Sequence, residues 1–213
     1  VTAFGRLGHM FASKEVFGIE PDMITFAKGV TSGYFPLGGV AISSALFDRI
    51  KASGNGDAMF AHGYTYSSHP IGCAAALANM DILENENLRE HVREVGPYFQ
   101  ERLKSLEDLP LVGGVRGMGL MACIECNADA GGGDELAADY AIGARIDRHC
   151  QALGLLVRPL INMCVLSPPL IVTRDDIDTI VAILKAGIEA ATAEWQQELE
   201  GANGPGRDLP SPH

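Results

Sequence analysis

Lys28 is the side chain in this sequence best placed to act as a nucleophile. It ends the apolar run Met23-Ile24-Thr25-Phe26-Ala27 and is followed by Gly29. Gly33, Pro36, Gly38 and Gly39 come next, and a second apolar run spans Val40 to Ile42. The pattern reads as strand, tight loop, strand, with one amine held at the end of a buried strand. An apolar pocket disfavours the charged ammonium and lowers its pKa. A lysine so placed can form a Schiff base with a carbonyl compound. The same window also describes a solvated lysine where a strand stops, since lysines mostly sit on surfaces.

Other candidates are less specific. Arg158 stands at the end of the apolar stretch Leu155 to Val157 and just before Pro159, where a surface arginine or a helix-cap partner is the plain alternative. Arg6 reads as a surface or structural ion pair or as a substrate contact. His62 and His69 flank a segment dense in hydroxyls and aromatics, His62 to Pro70, and neither is assigned a catalytic role. Thr65, inside that segment, could be a turn threonine near a helix start. Cys123 and Cys126 form a C-x-x-C pair, but a structural zinc site needs four ligands and no second pair has suitable spacing, so no metal is expected. Gly5 and Gly8, like Gly113, Gly114, Gly117 and Gly119, match neither a P-loop nor a dinucleotide fingerprint.

These residues need elements to hold them. Ser43-Ser44 can cap a helix through Leu46, Phe47 and Ile50, ended by Ser53-Gly54. Pro70 suits a helix first turn, with Ser68 or His69 just before it. Asn85 to Leu106 is helical, with Gly96-Pro97 kinking or splitting it. Val112 to Cys126 holds strand-like runs, Leu136 to Leu153 repeats at helical spacing through Ala137, Tyr140, Ala141, Ala144, Ile146 and Cys150, and Gly154 stops it. Leu155 to Val157 and Met163 to Leu166 are short strands, and Thr173 to Asp176 opens a last helix with acids in its first turn. Val1 to Gly8 could close a strand and enter a loop. There is no internal repeat.

Composition narrows the function. The 213 residues are 47% hydrophobic and 20% charged, an ordinary globular balance. A net charge of −11 argues against nucleic acid or an anionic membrane as partner. No apolar run approaches the roughly 20 residues of a membrane span. Five irregularly spaced cysteines, mostly inside apolar runs, suit reduced thiols in a cytoplasmic protein.

Three segments together resemble the class III (omega-amino acid) aminotransferases, which use pyridoxal phosphate. The first joins Phe4-Gly5-Arg6-Leu7-Gly8 and Pro21-Asp22 to the Lys28-Gly29 loop, ending Phe35-Pro36-Leu37-Gly38-Gly39-Val40. The second is His62-Gly63-Tyr64-Thr65-Tyr66-Ser67-Ser68-His69-Pro70. The third is Leu156-Val157-Arg158 with Ser167-Pro168-Pro169-Leu170. The likeness runs from Val1 to about Glu200 and covers the C-terminal half of the family's longer chains. Their Asp-Glu-Val triplet, whose aspartate pairs with the cofactor's pyridine nitrogen, lies immediately before the position of Val1.

The resemblance implies an α/β protein: the later part of a fold-type-I large domain over residues 1–68, connecting helices over 69–106, a small α/β domain over 107–200, and a disordered tail over 201–213. It implies Lys28 as the residue that carries pyridoxal 5'-phosphate and shuttles the proton. It makes Tyr64 and Thr65 cofactor contacts, with Thr65 reaching the phosphate of a neighbouring subunit, hence at least a homodimer. A hydroxyl and free amides suit that dianion. Arg158 would grip a substrate carboxylate and swing away for substrates without one, a task for bidentate guanidinium geometry. Leu160 to Met163 departs from the polar turn common in relatives. The implied activity moves an amino group from an amine or omega-amino acid to a keto acid, expected to be pyruvate. The alternatives are a class III aminomutase or decarboxylase, or an inactive fragment serving as a binding or structural partner. A chain lacking the earlier strands should expose sheet edges and apolar faces and fold poorly alone.

Overall fold

The computed structural model describes residues 2–53, 61–128 and 134–202. The chain divides into two compact units, one up to Gly96 and one from Pro97 onward. From Asn203 the expected tail lies outside the described residues; Gly201 and Ala202 still belong to the last helix.

The first unit starts with turns rather than the end of a strand. Phe4 and Gly5 both take positive φ, 54° and 90°, a backbone that cannot extend, and Phe4 N–H donates to the Met10 carbonyl at 2.7 Å. Helix α1 (Ala12–Phe17) follows and ends at Gly18 in the left-handed region. Strand β1 (Met23–Phe26) then pairs with β2 (Gly39–Ile42). The pair is antiparallel, with Met23 opposite Ile42 and Phe26 opposite Gly39. The strands are also not buried: Met23 is 60% and Val40 58% exposed. Two four-residue strands have no further strand beside them here, and a lone ribbon cannot bury both of its own faces.

Helix α2 (Ser44–Ala52) is capped by Ser43, whose Oγ accepts from Leu46 N–H at 3.2 Å. Helix α3 (Pro70–Asn85) begins with Pro70 in its first turn and His69 as cap, with His69 Nδ1 accepting from Ile71 N–H at 3.3 Å. Gly72, Ala76 and Leu83 line its buried side. Helix α4 (Leu88–Lys104) runs on through Pro97 instead of splitting there. The division between the two units falls at that proline.

The second unit is built on a four-stranded antiparallel sheet in the order β3 (Val112–Met118), β4 (Met121–Cys126), β6 (Met163–Leu166), β5 (Arg158–Leu160). Period-two alternation sends Ala122, Ile124 and Cys126 of β4, and Cys164 and Leu166 of β6, to the buried side. Helix α5 (Glu135–Ala152) lies against β4 and β5 and packs on α6 (Arg174–Ala202). Ile142, Ile146 and Cys150 of α5, and Ile177, Leu184, Ile188 and Ala191 of α6, are all completely buried. On α4, Phe99 and Leu103 join this core, and Gln100 Nε2 donates to the Gly119 and Met121 carbonyls that shape the β3–β4 hairpin. Thr173 and Asp176 form a reciprocal cap at the start of α6, with Asp176 Oδ2 accepting from Thr173 N–H at 3.0 Å. Burial pushes the enclosed thiols up, Cys126 to about 12 and Cys150 to about 11.

Candidate active site

Lys28 does not end the strand; it opens a 3-10 turn, Lys28–Thr31, between β1 and β2. Its φ is +55°, the left-handed region, where a residue with a β-carbon is strained. Surrounding contacts must therefore hold it. Phe4 backs the turn: a β-carbon on Gly29 would come within 3.1 Å of Phe4 Cβ, so glycine lets the backbone close on that ring. Phe4 itself sits edge-on to Phe11 and Phe26, with centroids 5.6 and 6.0 Å apart. Phe26 then covers Gly39 across the strand pair, where any β-carbon would fall 2.5 Å from its ring. Thr31, almost fully buried, donates its hydroxyl to the Phe35 carbonyl at 2.6 Å and closes the loop.

The other clamp comes from α3. Asn79 Nδ2 donates to the Gly29 carbonyl at 2.9 Å and to the Val30 carbonyl at 3.2 Å. Phe35, at the far end of the same loop, seats on Gly72, where a β-carbon would meet its ring at 2.9 Å. The Phe35 ring also lies 5.3 Å from that of His69, at the cap of α3. One helix thus fixes both ends of the lysine loop and carries the His62–Pro70 segment at its N-terminus. Asn79 escaped the sequence reading. It is a lone amide inside an alanine-rich helix, and the only clue was a polar residue three after Ala76 on the buried side.

The Lys28 side chain is exposed and makes no hydrogen bond or ion pair among the described residues. The apolar enclosure expected for its amine is therefore not formed by the described residues. The loop does form one wall of a concave space of about 650 Å³, lined by Lys28, Thr31, Phe35 and Leu37 among others. Thr65 stands in a turn, exposed, with neither its N–H nor its hydroxyl engaged among the described residues. Tyr64, 77% exposed, braces that turn through its backbone: its N–H donates to Ser67 Oγ and its carbonyl accepts from Ser67 N–H, both at 2.9 Å. Its ring meets His62 edge-on at 5.4 Å.

Arg158 belongs to the second unit. It opens β5 rather than following a strand at Leu155–Val157, because Arg158, Pro159 and Leu160 find partners in Val165, Cys164 and Met163 while the preceding residues find none. Its side chain is exposed and makes no hydrogen bond or ion pair among the described residues. It lines a cavity of about 370 Å³ together with Leu156, Val165, Ser167, Pro168 and Phe99. Burial holds the Arg6 guanidinium below its ordinary value. Among the described residues no group of three or more histidine, cysteine or acidic side chains is placed to hold a metal ion, and no helix is long and apolar enough to cross a membrane.

This two-unit α/β fold is shared with pyridoxal-phosphate transaminases of fold type I. The Aminotransferase class-III model matches residues 1–188, and the chain belongs to that family. It is 38% identical over 200 residues to gamma-aminobutyrate transaminase 1 of Oryza sativa, covering 94% of this chain and 38% of that protein. It is 42% identical over 197 residues to an uncharacterized aminotransferase of Sinorhizobium fredii, covering 91% and 42%. Among solved structures, the PMP-bound aminotransferase of Vibrio fluvialis superimposes with a TM-score of 0.81 at 35% identity, over 91% of this chain and 42% of that one. A thermostable (S)-enantioselective omega-transaminase from Thermomicrobium roseum gives 0.77 at 38% identity, over 91% and 41%. The chain thus spans about two-fifths of the length of these relatives, 38% and 42% of the two named by sequence.

Proposed function

We propose that the protein to which this chain belongs is a pyridoxal-phosphate transaminase that moves an amino group from an amine or omega-amino acid to a keto acid, with pyruvate as acceptor. The observation that carries this reading is Lys28: a free primary amine at a left-handed position, braced by Phe4 on one side and Asn79 on the other. The residues fit the cofactor, because an aldehyde needs an unpaired amine and a phosphate needs open donors, which Lys28 and the Thr65 turn supply.

Bound pyridoxal phosphate supplies an electron sink that lets a proton leave the carbon bearing the amine. Lys28 Nζ would hold the cofactor, and as a free amine it would take that proton as base and return it as acid. Thr65, with Tyr64 beside it, offers its hydroxyl and N–H to the phosphate. Its open exposure, and the exposed apolar residues Ile71 and Leu77 on α3, support a role across a subunit interface. Arg158 receives a substrate carboxylate through paired guanidinium hydrogen bonds.

The test is Lys28→Ala in the full-length protein. Turnover with an omega-amino acid and pyruvate should disappear, together with the visible absorbance of the lysine-bound cofactor. Transamination persisting near the wild-type rate would overturn the assignment.

A further inference from the structure

The four strands of the second unit carry three charged residues, Arg116, Glu125 and Arg158. All three stand on one face. Arg116 is opposite Cys123, Cys123 is opposite Val165, and Val165 is opposite Arg158, so these four form a single row across the sheet. Directly opposed residues of an antiparallel pair point to the same side. Glu125, two residues from Cys123, shares that side, while Ile124 and Cys126 turn to the core. The sheet therefore presents one carboxylate between two guanidinium groups.

That carboxylate is taken by Arg116. Arg116 Nη1 lies 2.5 Å from Glu125 Oε2, and Nη2 reaches Met163 Sδ at 3.2 Å. Arg158 is left with no acid. From strand spacing and rise, the Glu125 and Arg158 α-carbons are about 12 Å apart, two strands over and two residues along. Extended toward each other, an arginine and a glutamate side chain close that gap. Residues between them on this face are Met163 and Val165, neither of which carries a charge.

We propose that Arg116 is a positioning residue for substrate specificity: by engaging Glu125 it keeps that carboxylate from competing for Arg158, which stays open to a carboxylate on the substrate. This rests on the reading of Arg158 as the carboxylate-binding residue. Without Arg116 the internal acid occupies Arg158 for part of the time, and substrates that need the guanidinium bind less well. Amines with no carboxylate are indifferent to the exchange.

Alanine and isopropylamine make the test, since they differ by a carboxylate in place of a methyl group. In the full-length enzyme Arg116→Met should raise KM for alanine about two- to fivefold, the range set by an exposed ion pair of up to ~1 kcal/mol. KM for isopropylamine and kcat for both donors should stay near wild type. Adding Glu125→Gln to Arg116→Met should return the alanine KM to its original value, and Arg116→Lys should leave it there. Should Arg116→Met not fold, Arg116→Gln, which stays polar and drops the charge that holds Glu125, carries the same expectation. Equal changes for both donors, or no rescue by Glu125→Gln, would overturn the proposal. Arg158→Met separates the two readings. If it penalises alanine selectively while Arg116→Met does not, the Arg116 role alone is wrong; if it does not discriminate, the reading of Arg158 is wrong.

Discussion

Asn79 bears on the candidate site as directly as the residues whose chemistry drew attention first. Its amide supplies the donor for two carbonyls of the lysine turn, those of Gly29 and Val30. Leucine there keeps the volume and removes the donor. A part-buried carbonyl stripped of its partner costs about 1–3 kcal/mol. Asn79→Leu is therefore expected to destabilise the full-length protein by an amount in that range. Amide hydrogen exchange should accelerate over residues 28–31 while exchange in α5 and α6 stays unchanged; an equal change everywhere would mean that the helix, not the turn, had been loosened. At this scale the sequence points to candidate residues and hides their supports. It points to Lys28 because glycines and a proline on its C-terminal side leave few conformations for the loop. It hides Asn79, because its partners lie about fifty positions away, 50 for Gly29 and 49 for Val30. Enclosure of the amine was expected and is absent among the described residues, since exposure depends on what surrounds a loop and not on the loop's sequence.

Helix α5 shows what periodicity can and cannot fix. Gly154 marks its end as expected, and Asp134 caps its start, its carboxylate accepting from Ala137 N–H at 3.1 Å. Its inward face followed only in part. The expected face ran through Ala137, Tyr140, Ala141, Ala144, Ile146 and Cys150; of these Ile146 and Cys150 are buried, together with Ala138, Ile142 and Gly143. Alanines populate both sides of this helix, so the two isoleucines at i and i+4 decide which side goes in. Gly143 belongs to that side because a β-carbon there would stand 1.8 Å from the Ile161 carbonyl. Ile161 itself takes φ +63° in the β5–β6 turn, so neither partner can give way freely. Alanine for glycine inside a helix normally gains up to ~1 kcal/mol. Here overpacking against backbone, about 1–3 kcal/mol, should win. Gly143→Ala is expected to lower the thermal midpoint, as read by calorimetry; a rise would mean that the turn moves away at little cost. The same turn explains why the strand carrying Arg158 starts three residues later than expected: hydrophobicity marked Leu155–Val157, but pairing with β6 selects Arg158–Leu160.

Taken whole, the chain holds two units whose cores are unequal in kind. The second has a sheet with helices on its inner face and three fully buried thiols, Cys126, Cys150 and Cys164, the last raised further than the other two. Desolvation is the largest cause in each case. A folded-state pKa above the unfolded one gives stability that is complete below the ordinary thiol value of 9.0 and is lost as pH climbs toward the folded values of about 11 and 12. The denaturant midpoint of the second unit, followed by the fluorescence of Trp195, should fall between about pH 9 and 11 in the full-length protein. Replacing the three cysteines by alanine should flatten that decline. The division between the two units falls at Pro97, inside a continuous helix. A proline in mid-helix reads locally as a break, and only packing on both sides of it carries the helix through.

The strained backbone at Lys28 sets stability and reactivity against each other at one position. Holding a residue with a β-carbon at φ +55° costs about 1–2 kcal/mol, and glycine escapes the cost. A redesign of this chain for heat tolerance alone would choose glycine at position 28 among its first changes, and would discard the amine with it. Engineering campaigns that rank variants by melting behaviour therefore need to lock this position before they begin.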